Sequence, residues 1–170
     1  MTDNDTMNTS FSKKSEIVII SPHFDDEIIG NYSIITNPLT KPIIIYLQDD
    51  EERKQEALNL KKFIDNVQVQ LFQKSIPSTF LDPLNVLYFP DPIFETNPDH
   101  RKWGAVGEDF LRKGLNVVFY SINMNAPYIH NVENPKDKRH LLEKVYPSQK
   151  NLWKYENKYF LFEGRYKWLI

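Results

Sequence analysis

Apolar positions along the chain follow two alternating rhythms. Ile17-Val18-Ile19-Ile20 is an unbroken run of branched residues, which predicts a buried strand. Ile28, Ile29, Tyr32 and Ile35 then recur at helical spacing. Residues 43–47 predict a second buried strand, and residues 51–66 a helix with Ala57, Leu60 and Ile64 on one face. Val67, Val69 and Leu71 alternate with Gln68 and Gln70 as a third strand, and residues 86–89 form a fourth that ends at Pro90. A helix is expected over 101–112, with Trp103, Val106 and Phe110 inward and Gly114 closing it, before a strand over 117–120. Strands alternating with helices imply parallel strands joined by helical crossovers, an α/β fold with a doubly wound sheet.

Beyond Pro135 the pattern changes. A basic helix over 136–146 carries Leu141, Leu142 and Val145 on its apolar face. It leads into an aromatic tail containing Tyr155, Tyr159, Phe160, Phe162, Tyr166 and Trp168, with a turn at Gly164. Such a tail can stack on carbohydrate, but packing is favoured because aromatic side chains carry so much burial energy. Residues 1–15, rich in Asn, Asp, Thr and Ser, read as a disordered leader. Residues 16–170 read as one domain, without a repeat or a dividing linker.

Composition narrows the class. The chain has 170 residues, 41% of them hydrophobic, enough to bury a sizeable core. A net charge of −2 leaves no electrostatic footprint for nucleic acid. With no cysteine, disulfides and thiolate metal sites are excluded, so any metal must use His and carboxylate. No apolar run approaches the roughly 20 residues of a membrane span, and the N-terminus lacks a signal-peptide core. A soluble cytoplasmic protein is the default; oligomeric state is not legible, and a homo-oligomer stays open.

The chemistry concentrates in Ser21-Pro22-His23-Phe24-Asp25-Asp26-Glu27, directly after the first strand. Acids opening a helix are favourable without any function, since they cap free N–H groups and face the positive end of the dipole. Capping does not explain His23, nor the second histidine in Asn97-Pro98-Asp99-His100. The carboxyl edge of a sheet is where open α/β folds bind ligands. Two imidazoles and a carboxylate supply three metal ligands and leave a fourth position open, as catalytic zinc requires.

Pro22-His23-Phe24-Asp25-Asp26-Glu27 resembles the Pro-His-Pro-Asp-Asp-Glu motif of metal-dependent de-N-acetylases of the PIG-L/LmbE type. Arg53 and Glu56 resemble that family's Arg-x-x-Glu, Asp91 an acid after its middle strand, and Asn97-Pro98-Asp99-His100 its His-Pro-Asp-His. Lys138 through Tyr146-Pro147-Ser148-Gln149 resembles its Lys…Tyr-x-Ser-Gln signature. The resemblance runs in order from Ile17 to Gln149. It implies a Rossmann-like architecture and a zinc ion (or another divalent metal) held by His23, Asp26 and His100. Asp25 would be the general base, and Glu27 would support the site or cap the helix. The implied reaction removes acetate from an N-acetylated amino sugar or its conjugate.

Substrate contacts are expected from Arg53, from Asp91 and from the loop over 123–130, notably Tyr128. Arg53 and Glu56 also fit an ordinary surface pair at i,i+3, and Asp91 a turn between prolines. Phe24 stands where the family has proline. Asn97 stands where it has the histidine thought to stabilise the oxyanion; the Asn97 amide is itself a donor, and His130 or Tyr128 are candidates for the same role. Two other readings follow: a catalytically silent metal-binding relative that binds glycan or protein, and a plain α/β domain.

Overall fold

The computed structural model describes residues 14–123, 125–153 and 158–168. Five strands run parallel: β1 (Ile17–Ser21), β2 (Ile43–Tyr46), β3 (Val69–Phe72), β4 (Val86–Pro90) and β5 (Asn116–Tyr120). A small sheet pairs β6 (His130–Asn131) with β7 (Phe162–Glu163), and β8 (Arg165–Tyr166) adds antiparallel to β5. The order across the main sheet is β3-β2-β1-β4-β5-β8. Strand order therefore reverses between β1 and β4, where a crevice opens at the carboxyl ends.

Helices α1 (Asp26–Ile35), α2 (Glu51–Ala57), α3 (Leu60–Phe63), α4 (Pro98–Arg112), α5 (Pro135–Val145), α6 (Lys150–Trp153) and α7 (Lys158–Leu161) surround the sheet. Successive strand residues point to opposite faces, and the two faces have different partners. Ile19, Ile44 and Tyr46 pack under α1, α5 and the residues Ala57 and Leu60. Val18, Ile20, Ile45, Leu87 and Phe119 pack under α4 through Trp103, Val106, Phe110 and Leu111. Covering both faces is what makes the strands read as continuous apolar runs. Helix α4 lies close on the sheet: a Cβ at Gly104 would come within 2.6 Å of the Pro92 backbone.

Several element boundaries differ from the sequence reading. The helix expected over 51–66 is two helices, broken where the Asn59 amide turns back to the Glu56 carbonyl at 2.9 Å. That turn lets Ala57 and Leu60 both reach the core, at 0% exposure. Helix α4 starts at Pro98, three residues early, because Asn97 caps it and proline suits a first turn. Helix α1 is kinked at Asn31, which has φ −134° and ψ 26°. Beside the kink the buried Lys138 donates to the carbonyls of Ile29 at 2.6 Å and Phe162 at 2.9 Å, while the Ser33 amide donates to Glu163 at 3.2 Å.

The aromatic tail packs for the most part. Trp153 and Phe160 are buried, and Tyr166 and Trp168 gather around Phe119; Tyr155 lies outside the described residues. Of the expected leader, residues 1–13 also lie outside them. Ser15 donates to the Leu84 carbonyl and the Glu16 amide to Asn85, so the segment before β1 is fastened. Among the described residues no helix is long and apolar enough to cross a membrane.

Candidate metal centre

The crevice between β1 and β4 is built first from the turn that follows β1. Ser21 Oγ donates to the His23 carbonyl at 2.6 Å, and the His23 amide donates to Asp26 Oδ2 at 2.8 Å. Phe24 turns inward at 0% exposure and stacks on Tyr46, with ring centroids 5.1 Å apart. That anchor lets His23 stay at the cleft while the next residue begins the helix. Asp25 then takes φ 99°, a left-handed conformation that side chains rarely adopt and Asp tolerates better than most. Strain of this kind costs of order 1–3 kcal/mol and persists where surrounding bonds enforce it. The buried Glu27 is one enforcer, accepting from the Asp25 amide at 2.9 Å and from the Tyr46 and Tyr146 hydroxyls. Burial pushes Glu27 up to about 7, against the lowering effect of its tyrosine hydrogen bonds.

Helix α4 brings the second half. Asn97 Oδ1 accepts from the amides of Asp99 at 2.9 Å and His100 at 3.4 Å, which fixes the first turn and aims His100 inward at 4% exposure. Three donor atoms then converge. His23 Nδ1 lies 3.1 Å from His100 Nε2, His100 Nε2 lies 3.0 Å from Asp26 Oδ2, and Asp26 Oδ2 lies 3.6 Å from His23 Nδ1. Zinc bonds of about 2.0–2.1 Å in a tetrahedron imply ligand–ligand edges of about 3.3–3.4 Å. The triangle has that size, and its two imidazoles and one carboxylate could bind a metal ion.

A carboxylate stands behind each histidine. Glu95 Oε2 lies 3.1 Å from His100 Nδ1, and Asp99 Oδ2 lies 2.9 Å from His23 Nε2. Such partners fix the tautomer and ring orientation of metal-binding histidines. Glu95 is itself buried and held by Ser121 Oγ at 2.9 Å and by the amides of Ile122 and Asn123 after β5. Burial opposes charge on His100, yet Asp26 and Glu95 outweigh it and raise the imidazole to about 10. Burial likewise raises Asp26, but the charge and hydrogen bond of His100, with His23, leave its carboxyl lowered overall. The surroundings favour positive charge at the place where the three donor atoms meet.

Asp25 sits beside this group. Its Oδ2 accepts from Arg53 Nη2 at 2.8 Å, and the same nitrogen donates to the Phe24 carbonyl. Burial and then the neighbouring Asp26 push the Asp25 carboxyl well above its ordinary value, with Arg53 acting the other way. Arg53 lies on α2, and its pairing is with Asp25, whereas Glu56 accepts from the Ser148 amide and hydroxyl at 2.8 and 2.7 Å. The cluster opens into a cavity of about 330 Å³. Arg53 and Asn97 line it, as do Ile122, Asn123, Trp153 and Tyr159.

The structure therefore brings together His23, Asp25, Asp26, Arg53, Asn97 and His100. It places Asp91, Tyr128 and His130 elsewhere. Asp91 is buried under the loop that carries Glu95, accepting from the amides of Ile93 at 2.6 Å and Phe94 at 3.1 Å, and from the hydroxyls of Tyr128 and Tyr166. Those bonds occupy both its oxygens. His130 is exposed on β6, in a depression shared with Ala126 and Phe162. The sequence reading missed Glu95 and Asp99; an acid next to His100 and another five residues before it were the available signal. Half-buried Tyr159 packs against the core, as expected of the aromatic tail, and also lines the cavity.

No family model matches the chain, and no curated protein matches it.

Proposed function

We propose that this chain is a zinc-dependent hydrolase that removes an acetyl group from an N-acetylated amino sugar or its conjugate, on a Rossmann-like, doubly wound frame. The observation that carries the reading is the His23–Asp26–His100 triangle with the Asp25 carboxylate alongside it. The 3-2-1-4-5 order of the parallel strands supports the frame.

His23, Asp26 and His100 would hold a divalent ion, which would supply a Lewis acid and a water acidic enough to react at neutral pH. The rest falls to the chain's own side chains. Arg53 holds Asp25 by Oδ2, which leaves Oδ1 to take the proton of the attacking water and hand it to the leaving amine nitrogen. The upward push on the Asp25 carboxyl suits a group that must both accept and return a proton. Asn97 uses its carboxamide oxygen to cap α4, so its Nδ2 is the atom that would donate to the acyl oxygen. One oxyanion donor of this kind is worth about 2.7–4 kcal/mol in other hydrolases. Amine and acetate are the products. The second reading, a metal-binding glycan or protein binder without turnover, draws on the 2.8 Å ion pair between Asp25 and Arg53, which ties up the proposed base.

The test is metal analysis of the purified protein with an acetate-release assay across N-acetyl amino sugars. About one divalent ion per chain, lost in both His23→Ala and His100→Ala, together with acetate release, is the expected result. Metal content like wild type in both variants would overturn the site. Full metal content with no acetate from any substrate would favour the silent binder.

A further inference from the structure

Between α5 and α6 the chain makes one tight turn, Tyr146-Pro147-Ser148-Gln149, in which the Gln149 amide donates to the Tyr146 carbonyl at 3.0 Å. Two side chains of this turn reach the elements that hold Asp25. The Tyr146 hydroxyl donates to Glu27 Oε1, and the other oxygen of Glu27 accepts from the Asp25 amide at 2.9 Å. The Arg53 guanidinium lies over the Tyr146 ring, its central carbon 5.9 Å from the centroid, within cation–π range. Ser148 donates from its amide and its hydroxyl to the two oxygens of Glu56 at 2.8 and 2.7 Å. Glu56 follows Arg53 by one turn of α2, so the two share a helix face.

Besides its helix bonds, Asp25 is fixed by two contacts, and both lead back to this turn. Glu27 holds its amide, and Arg53 Nη2 holds its carboxylate at 2.8 Å. Arg53 Nε is buried and makes no hydrogen bond, so Nη2 and the aromatic face carry the orientation of the guanidinium. Tyr146 is fully buried. Burial, and then the charge of Glu27, push its phenol up, so it stays an O–H donor. Asp25 is not one of the three converging donors, so the His–Asp triangle does not set its direction.

We propose that Tyr146 and Ser148 form a clasp that positions Asp25, keeping its carboxylate on Arg53 by one oxygen and leaving the other for the attacking water. Tyr146 is the positioning residue, acting through Glu27 and Arg53, and Ser148 steadies α2 through Glu56. That Asp25 is the base rests on the proposed function; the placing of Arg53 has its own readout. A misplacement of about 1 Å can cost about 10²-fold in rate, so opening the clasp should slow turnover while the metal stays bound.

The experiment follows the Arg53 Nε–H resonance of metal-loaded protein, identified by its loss in Arg53→Lys, and steady-state acetate release from N-acetylglucosamine. Tyr146→Phe keeps the ring and loses the bond to Glu27, whereas Tyr146→Leu loses both. Glu56→Ala opens the other end of the clasp at a half-buried position, and it decides the matter should the leucine variant fail to fold. The resonance should move in Tyr146→Leu and Glu56→Ala. Expected falls in kcat are about 10²-fold for Tyr146→Leu, about tenfold for Tyr146→Phe and about threefold for Glu56→Ala. KM and metal content should stay within about twofold of wild type. A resonance unmoved in every folded variant overturns the clasp. So does metal lost in step with activity, or a kcat indifferent to a moved resonance. A resonance that moves as expected, in a protein that releases no acetate from any N-acetyl amino sugar, keeps the clasp and favours the silent binder over the hydrolase.

Discussion

Lys138 is fully buried, at 0% exposure, and its Nζ donates to the Ile29 carbonyl on α1 and the Phe162 carbonyl on β7. Burial drives its ammonium down to about 7, with Glu163 holding it up and Arg165 adding to the fall. In the unfolded chain a lysine titrates near 10.4. Between those two values the unfolded state binds more protons than the folded one, so stability rises with pH across the window. The full separation is worth about 5 kcal/mol, and the part gained between pH 7 and pH 9 about 2 kcal/mol. Lys138→Met keeps the length of the side chain and removes this dependence on pH. It also leaves two carbonyls without their donor, a loss of about 1–3 kcal/mol each. At pH 7 the two effects nearly cancel, so absolute stability there decides nothing and the slope decides everything. Urea denaturation of both proteins from pH 6.5 to 9.5 should show wild type gaining about 2.5 kcal/mol relative to Lys138→Met by pH 9. Parallel pH profiles would refute the burial of a charge at this position.

Other perturbations test the site and its frame. Asp25→Asn should keep the metal and lower kcat by about 10²–10⁴, because the amide cannot take the proton; loss of metal in that variant would mean that Asp25 is a ligand. Glu95→Gln should weaken metal affinity by about 10- to 100-fold, read by competition with a chromogenic chelator, since Glu95 orients His100. Asn97→Ala should cost about 0.5–2 kcal/mol in denaturant unfolding through loss of the α4 cap, besides any fall in activity. Gly104→Ala should destabilise despite alanine's better helix propensity, because its Cβ would press on the Pro92 backbone at 2.6 Å, and a gain in thermal midpoint would contradict that packing.

How much of this was legible follows from the range over which each feature acts. Ile17-Val18-Ile19-Ile20 and the run over 43–47 announced strands because burial on both faces leaves no polar position to interrupt them. His23 and the acids after it stood out because strand, turn and helix start are contiguous. His100 was found by its chemistry, and its nearness to Asp26 spans 74 positions of sequence. The break between α2 and α3 was not legible, since Ala57, Leu60 and Ile64 fit one helical stripe equally well. Only the sheet beneath them selects a turn.

The partners of the histidines show where local reading stops. Glu95 acts on His100 because three groups after β5 hold it in place, and β5 lies beside β4 only after the sheet has formed. Asp91 illustrates the converse. Its position after a central strand invites a substrate role, yet two amides and two tyrosine hydroxyls already fill its oxygens. A carboxylate's duty is set by which donors reach it first, and those donors come from elements the local sequence does not contain. The same reasoning separates Asp25 from Asp26. They are adjacent acids of identical chemistry; the left-handed turn at Asp25 sends one to Arg53 and the other to two imidazoles.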